Sequence, residues 1–304
     1  MPINIPNGLP AATVLTSEQV FVMTEDRALH QDIRPLDLLF LNLMPKKINT
    51  EIQFMRRLSN SPLQVNITLL RIDNHKSRNT PQEHLDTFYK NFEEIQDKRF
   101  DGLIITGAPL DQKQFSDVTY WDKLEKIIRW SSENVTSTLF SCWSAAAALK
   151  VFYDVDILFR QEKLSGIYNV SKSIGSNDTL VRGFDDQFLA PFSRFCDFPT
   201  KIIKQETDLK ILAQSAETGV YLAVSPDGKQ VYVTGHPEYD ANTLADEYRR
   251  DLKASKNPNI PFNYFPDNDP GEDPTCKWRS HSALLFCNWL NYYVYQISPF
   301  DLYA

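Results

Sequence analysis

The chain has 304 residues, 42% of them hydrophobic and 23% charged, which is ordinary for a globular protein with a sizeable core. A net charge of −7 with no basic block argues against nucleic acid and anionic membrane as partners. No run approaches the ~20 apolar residues of a membrane span, and the first residues lack the charged and apolar regions of a secretory signal. The four cysteines, Cys142, Cys196, Cys276 and Cys287, are far apart and form no C-x-x-C pair, so neither a disulfide framework nor a zinc site is expected. A reducing cytoplasm is the expected location.

In chain order, residues 1–34 carry Pro2, Pro6 and Pro10 and read as an irregular N-terminal arm, with a single domain over 35–304. "LDLLFLNL" (36–43) is a nearly continuous apolar run of strand length, typical of a sheet covered on both faces. Ile48, Ile52, Met55 and Leu58 then fall at helical spacing, and "LQVNITLLRID" (63–73) reads as a second strand. Leu85, Phe88, Phe92 and Ile95 place a helix over 83–97. "FDGLIITGAP" (100–109) reads as a buried strand ending in a turn, 119–134 as a helix, and "VTSTLF" (135–140) as a strand that runs straight into Cys142. Strands alternating with helices of this length predict a mostly parallel, doubly wound α/β sheet. The second half reads differently. Three β-rich runs at 209–215, 219–225 and 229–235 predict added antiparallel strands. A helix over 240–255 capped by Asp240, a polar loop over 256–277 and a terminal helix over 281–296 follow.

Ligands of such sheets collect at the carboxyl ends of the strands, where "TGAPLD" (106–111), "SCWS" (141–144) and "TGHPEYD" (234–240) all lie. Cys142 is either a small buried hydrophobe or a nucleophile at a helix N-terminus, whose dipole favours thiolate. Ser144 permits a sharp turn there, whereas Phe140 departs from the small residue of a nucleophile elbow. His236 and Glu238 flank Pro237 and point to one side of an extended segment, the arrangement by which a carboxylate orients an imidazole. A solvated turn is the alternative. Backbone N–H donors at Leu110 and Trp143 make a candidate oxyanion hole, Pro109 being unable to donate; an ordinary strand-to-helix turn is the alternative.

Long composite stretches carry a family resemblance: "NLMPKK" (42–47), "RIDNHKSRNTP" (71–81), "FDGLIITGAPL" (100–110), "EKLSG" (162–166), "RGFDDQFLAPFSR" (182–194), "VTGHPEYD" (233–240) and "WRSH…NWLNYYVYQISPFDL" (278–302). On these the chain resembles the homoserine O-succinyltransferase/O-acetyltransferase family of methionine biosynthesis over almost its whole length. The resemblance implies a class I glutamine amidotransferase-like (flavodoxin-like) fold and ping-pong acyl transfer, with acyl-CoA as co-substrate and no bound cofactor or metal. It implies Cys142 as acyl-thioester nucleophile, His236 as general base, Glu238 as its acidic partner, and Lys163, Ser193 and Arg250 as amino-acid-binding residues. It also implies a homodimer. Lys46 and Lys47 follow the first strand, where they either meet CoA phosphates or are plain surface charges.

The position that discriminates acyl donors in the family matches Asp111, where succinyl-using members carry Gly and acetyl-using members Glu. A carboxylate about 5 Å from that of a succinyl group would cost about 3 kcal/mol at an effective dielectric near 20, so acetyl-CoA is the expected donor. Homoserine is the expected acceptor. Serine stays open, because one methylene is worth little in a pocket and because "SCWSAAAAL" and Asn169 depart from the usual pattern near the presumed acceptor pocket. A glutamine amidotransferase shares the Cys…His-Pro-Glu order but has glycines where this chain has Phe140 and Ser144. A non-catalytic metabolite-binding protein would be expected to have lost part of the set.

Overall fold

The computed structural model describes residues 3–6, 8–18, 22–24, 34–72 and 79–299. Residues 73–78 and 300–302 of the family-like stretches lie outside these.

Twelve strands form one sheet among the described residues. Its parallel part runs β2 (Val22–Thr24), β1 (Ile3–Ile5), β4 (Val65–Leu70), β3 (Leu36–Leu41), β6 (Phe100–Ile105), β7 (Val135–Ser141), β12 (Gln230–Val233), with the short β5 (Tyr89–Lys90) also on β4. Beyond β12 the sheet turns antiparallel through β11 (Gly219–Val224), β10 (Lys210–Ser215), β8 (Leu158–Lys172) and β9 (Gln187–Asp197). The fold is thus the α/β, mostly parallel doubly wound sheet expected, with antiparallel strands added by the second half.

Alternation along the strands feeds two cores. Leu36, Leu38 and Phe40 point to one face and Leu39 and Leu41 to the other. The first face is covered by α1 (Pro10–Ser17), α2 (Lys47–Leu58) and α8 (Arg279–Asn288), which continues as a π-helix over Trp289–Tyr295. The second is covered by α4 (Trp121–Asn134) and α5 (Trp143–Tyr153). The alanines at 145–148 are fully buried there, their small side chains letting α5 lie close to the sheet.

Several expectations are corrected. The described part of the arm is not irregular: β1 and β2 extend the parallel sheet, and Ala11 and Leu15 of α1 join the core. The helix expected over 83–97 stops after α3 (Gln82–Phe88), because Tyr89 turns extended to pair with β4 and a 3₁₀ turn capped by Asn91 follows. On α2 the buried face holds Lys47, Thr50, Glu51, Phe54, Met55 and Leu58, while Ile48 and Ile52 are only partly buried. Polar residues are buried there because they partner one another. Tyr89 and His84 both bond the fully buried Glu51 carboxylate, and Lys47 Nζ donates to the Asn42 carbonyl. α7 (Thr243–Lys253) starts after Asn242, so Asp240 is not its cap. β12 is antiparallel only to β11; on its other side it is parallel to β7. The β8–β9 hairpin lies outside the expected elements altogether.

Candidate active site

β6, β7 and β12 end side by side, and their ends carry Gly107, Cys142 and His236. Cys142 joins β7 to α5 with φ 51° and ψ −114°, a left-handed conformation that costs a non-glycine residue about 1–3 kcal/mol. Its neighbours hold it there. The Cys142 N–H donates to the Val233 carbonyl at 2.7 Å. The Ser144 hydroxyl donates to Ile105 O at 2.6 Å and accepts from Ser141 N–H at 2.8 Å, tying the turn to β6. Phe140 does not obstruct the turn: it faces the second core and stacks on Tyr232, ring centroids 5.5 Å apart. The Trp143 N–H, at the first helical position, is one of the free donors of a helix start beside the sulfur.

His236 is 4% exposed and Glu238 likewise, and His236 Nδ1 lies 2.7 Å from Glu238 Oε1. Its other edge reaches Cys142. Burial alone would push the imidazole pKa down, but the charges of Cys142 and Glu238 and hydrogen bonds to both side chains carry it well above 6.5. The ring is fixed by its backbone N–H on Pro191 O at 2.8 Å and by Tyr239, which stacks on it at 4.2 Å. Gly107 completes the enclosure: a Cβ there would sit 3.3 Å from Cys142 Cβ and 3.8 Å from His236 Cε1. The structure therefore brings Cys142, His236 and Glu238 into one constellation.

Leu110 is a correction. Its N–H is taken by the Ala108 carbonyl at 2.8 Å in a tight turn, so it is not an available oxyanion donor; the residue of this turn packed against the Cys142 side chain is Gly107. Lys47 is another: it is 7% exposed, turned into the Asn42–Tyr89 network, and burial lowers its pKa to about 8. Lys46 is exposed.

The β8–β9 hairpin brings in the remaining residues. Between the pairs Phe159–Cys196 and Leu164–Arg194 the register slips, so that 160–163 bulge opposite Phe195. Lys163 sits in that bulge, and the Phe195 N–H donates to the Asp111 carboxylate. Burial raises the Asp111 pKa, against the pull of that N–H and of nearby Lys163 and His236, which puts its carboxylate in the neighbourhood of both side chains. Lys163 Nζ lies 2.6 Å from Glu247 Oε2, which also accepts the Ser193 hydroxyl, while Tyr239 O–H donates to Oε1 at 2.7 Å. Burial would raise the Glu247 pKa, but these three donors leave it below the ordinary value. Glu247 and Tyr239 are the residues that sequence reasoning missed. Arg250 lies one turn on, with Nε and Nη2 both 3.0 Å from Asp251, which leaves the other edge of its fork for a ligand. Asn169 is exposed and bonds Gln187, six residues along β8 from Lys163, so its departure from the family pattern does not touch the pocket.

The family model described as homoserine O-succinyltransferase matches residues 2–300. The chain belongs to this family. A homoserine O-acetyltransferase of Succinatimonas hippei is 69% identical over 300 residues, 99% of either chain. A homoserine O-succinyltransferase of Tolumonas auensis is 63% identical over 302 residues, 99% of this chain and 96% of the relative. Among solved structures, a glutamine amidotransferase from Thermotoga maritima superposes with a TM-score of 0.55 at 14% identity, over 85% of this chain and 98% of its own. One from Methylobacillus flagellatus gives 0.53 at 12% identity, over 86% and 95%. At such identities the likeness bears on fold alone, which is class I glutamine amidotransferase-like. The family is one of homoserine O-acyltransferases in methionine biosynthesis, and membership makes this chain an O-acyltransferase. Among the described residues no helix is long and apolar enough to cross a membrane, and no cluster of His, Cys, Asp or Glu is arranged to hold a metal ion.

Proposed function

We propose that the protein transfers the acetyl group of acetyl-CoA to the side-chain hydroxyl of L-homoserine by way of an acyl thioester on Cys142. The observation that carries this is the buried Cys142–His236–Glu238 constellation at a helix N-terminus, with the Asp111 carboxylate near His236 and Lys163. The Cys142 thiolate attacks the thioester carbonyl, and the oxyanion meets the Trp143 N–H. CoA leaves as the thiol, taking the proton of the His236 imidazolium. The now neutral His236 accepts the homoserine hydroxyl proton as that oxygen attacks the acetyl carbon. Cys142 departs as thiolate, O-acetylhomoserine forms, and the starting ion pair is restored. Glu238 holds the Nδ1 proton throughout, which aims Nε2 at the reacting groups. Arg250 takes the amino-acid carboxylate, and Lys163 and Ser193 act with Glu247 around the rest of the acceptor.

Asp111 supports acetyl over succinyl. A succinyl carboxylate about 5 Å away would be penalised by about 3 kcal/mol, and the 69% identical relative is named as an acetyltransferase. The test gives the purified protein acetyl- or succinyl-CoA with homoserine or serine and follows CoA release. Acetyl-CoA with homoserine is expected to be the fastest pair. Faster turnover of succinyl-CoA overturns the donor, and of serine the acceptor. Acetyl-CoA alone should add one acetyl group to Cys142 by mass, and turnover with no such adduct overturns the covalent route.

A further inference from the structure

A cavity of about 1370 Å³ opens between α2, the segment after β12 and the first turn of α8. Its inner wall includes Tyr239 and Glu247, so it begins one aromatic ring away from His236. It exceeds the roughly 300–1,000 Å³ of a small-molecule pocket, and an amino acid would fill little of it.

Its charges are unevenly satisfied. Arg56 bonds Glu18 and Asp240, and Glu247 is taken by Lys163. Lys46, Arg57 and Arg279 also line the cavity, and none of them is ion-paired among the described residues. Arg57 is 6% exposed, and its Nε is buried with no hydrogen-bond partner, although Nη2 donates to the Tyr239 carbonyl at 3.1 Å. A guanidinium so far out of water with an unused donor is expensive unless a ligand completes it. Its surroundings, Asp240, Cys276, Arg56 and Arg279, supply only one carboxylate, which Arg56 already holds.

Resting on the acyl-CoA reading above, we propose that this cavity holds the phosphorylated adenosine end of the acyl-CoA, with Arg57, Arg279 and Lys46 on its phosphates. Forked guanidinium groups and a lysine suit a diphosphate and a ribose phosphate. Met44 and Pro45 offer an apolar wall beside them. The pantetheine arm, on the order of 15 Å when extended, runs along Tyr239 toward Cys142.

The test compares acetyl-CoA with acetyl-pantetheine, which has the thioester but no nucleotide, in the wild type, Arg279→Ala and Lys46→Ala. Both side chains are exposed, so neither change threatens the core. The wild type is expected to prefer acetyl-CoA in kcat/KM, and each variant to lower that ratio about tenfold through KM. Calorimetry with adenosine 3′,5′-bisphosphate should show binding to the wild type that weakens in both variants. An unchanged ratio in both variants, or no binding of the bisphosphate, overturns the site. Bisphosphate binding that the variants weaken, in a protein that turns over no acyl-CoA, would keep the nucleotide site and overturn the proposed function instead.

Discussion

Tyr239 lies flat against His236, its ring 19° from parallel and 4.2 Å away, while its hydroxyl donates to Glu247 at 2.7 Å. One side chain therefore backs the imidazole and also orders the carboxylate that gathers Lys163 and Ser193. In the proposed mechanism it links the residue that moves the proton to the group that gathers the acceptor.

Tyr239→Phe separates these roles. The ring remains behind His236, but Glu247 loses one of three donors, and a hydrogen bond to a charged group is worth about 1.5–3 kcal/mol. The homoserine KM should rise about tenfold with kcat within about threefold of wild type, whereas Tyr239→Ala should lower kcat as well. Steady-state kinetics of the two variants checks this; equal loss of kcat in both would contradict the division.

Glu238→Gln removes a charge but keeps an oxygen for Nδ1. Burial favours neutral imidazole, and Cys142 and Glu238 overcome it. Without the Glu238 charge the His236 pKa must fall, so the basic limb of the pH profile of kcat/KM for acetyl-CoA should move to lower pH, with kcat down about a hundredfold or more. The stability effect has the same origin. A histidine raised in the folded state contributes stability that is complete below its unfolded value and lost as pH rises through the folded one. Denaturant unfolding should find the wild type's advantage over Glu238→Gln largest just below 6.5 and shrinking as pH rises beyond it. A basic limb that stays in place would contradict the electrostatic role.

The parallel half of the fold and the meeting of Cys142, His236 and Glu238 were legible because their signals are local. β3 and β6 are mostly apolar runs, β7 is rich in β-branched residues and reaches Leu139 and Phe140, and Cys142 and the His-Pro-Glu segment sit at strand ends that the doubly wound topology brings together. β8 was not legible. Its first six residues, "LFRQEK", are mostly exposed and bulged, so they show no period-2 pattern. Glu247 was hidden for a different reason. On a helix rich in charge it reads as solvated, and only Lys163 of β8, Ser193 of β9 and Tyr239 after β12, far apart in the chain, bury it. The Leu110 misassignment arose because the N–H of a tight turn is consumed by a carbonyl two residues back, which a Pro-containing sequence does not reveal.

Gly166 tests how the polar loop over 256–277 is held. Its φ is 143°, and a Cβ would stand 2.5 Å from the backbone nitrogen of Phe262, which runs beside β8 with Phe262 N–H on Ser165 O and Ile167 N–H on Phe262 O. Backbone cannot yield as a flexible side chain can, so Gly166→Ala must displace the loop. A loss of about 2–4 kcal/mol is expected, read as a lower denaturant midpoint. An unchanged midpoint would mean that the loop contributes little to stability.

Asp111→Gly bears on the choice of donor. In the wild type the carboxylate takes the Phe195 N–H at the β8–β9 bulge and lies near Lys163 and His236. Removing it deletes the repulsion against a second carboxylate and leaves the Phe195 N–H and Lys163 to receive one. The ratio of kcat/KM for succinyl-CoA over acetyl-CoA should rise about a hundredfold, the equivalent of roughly 3 kcal/mol. The gain should come through succinyl-CoA, and it should shrink in Lys163→Met, where the incoming carboxylate loses its cation. Competition assays with both donors present measure the ratio directly. A ratio that stays at the wild-type value would show that discrimination resides elsewhere in the pocket.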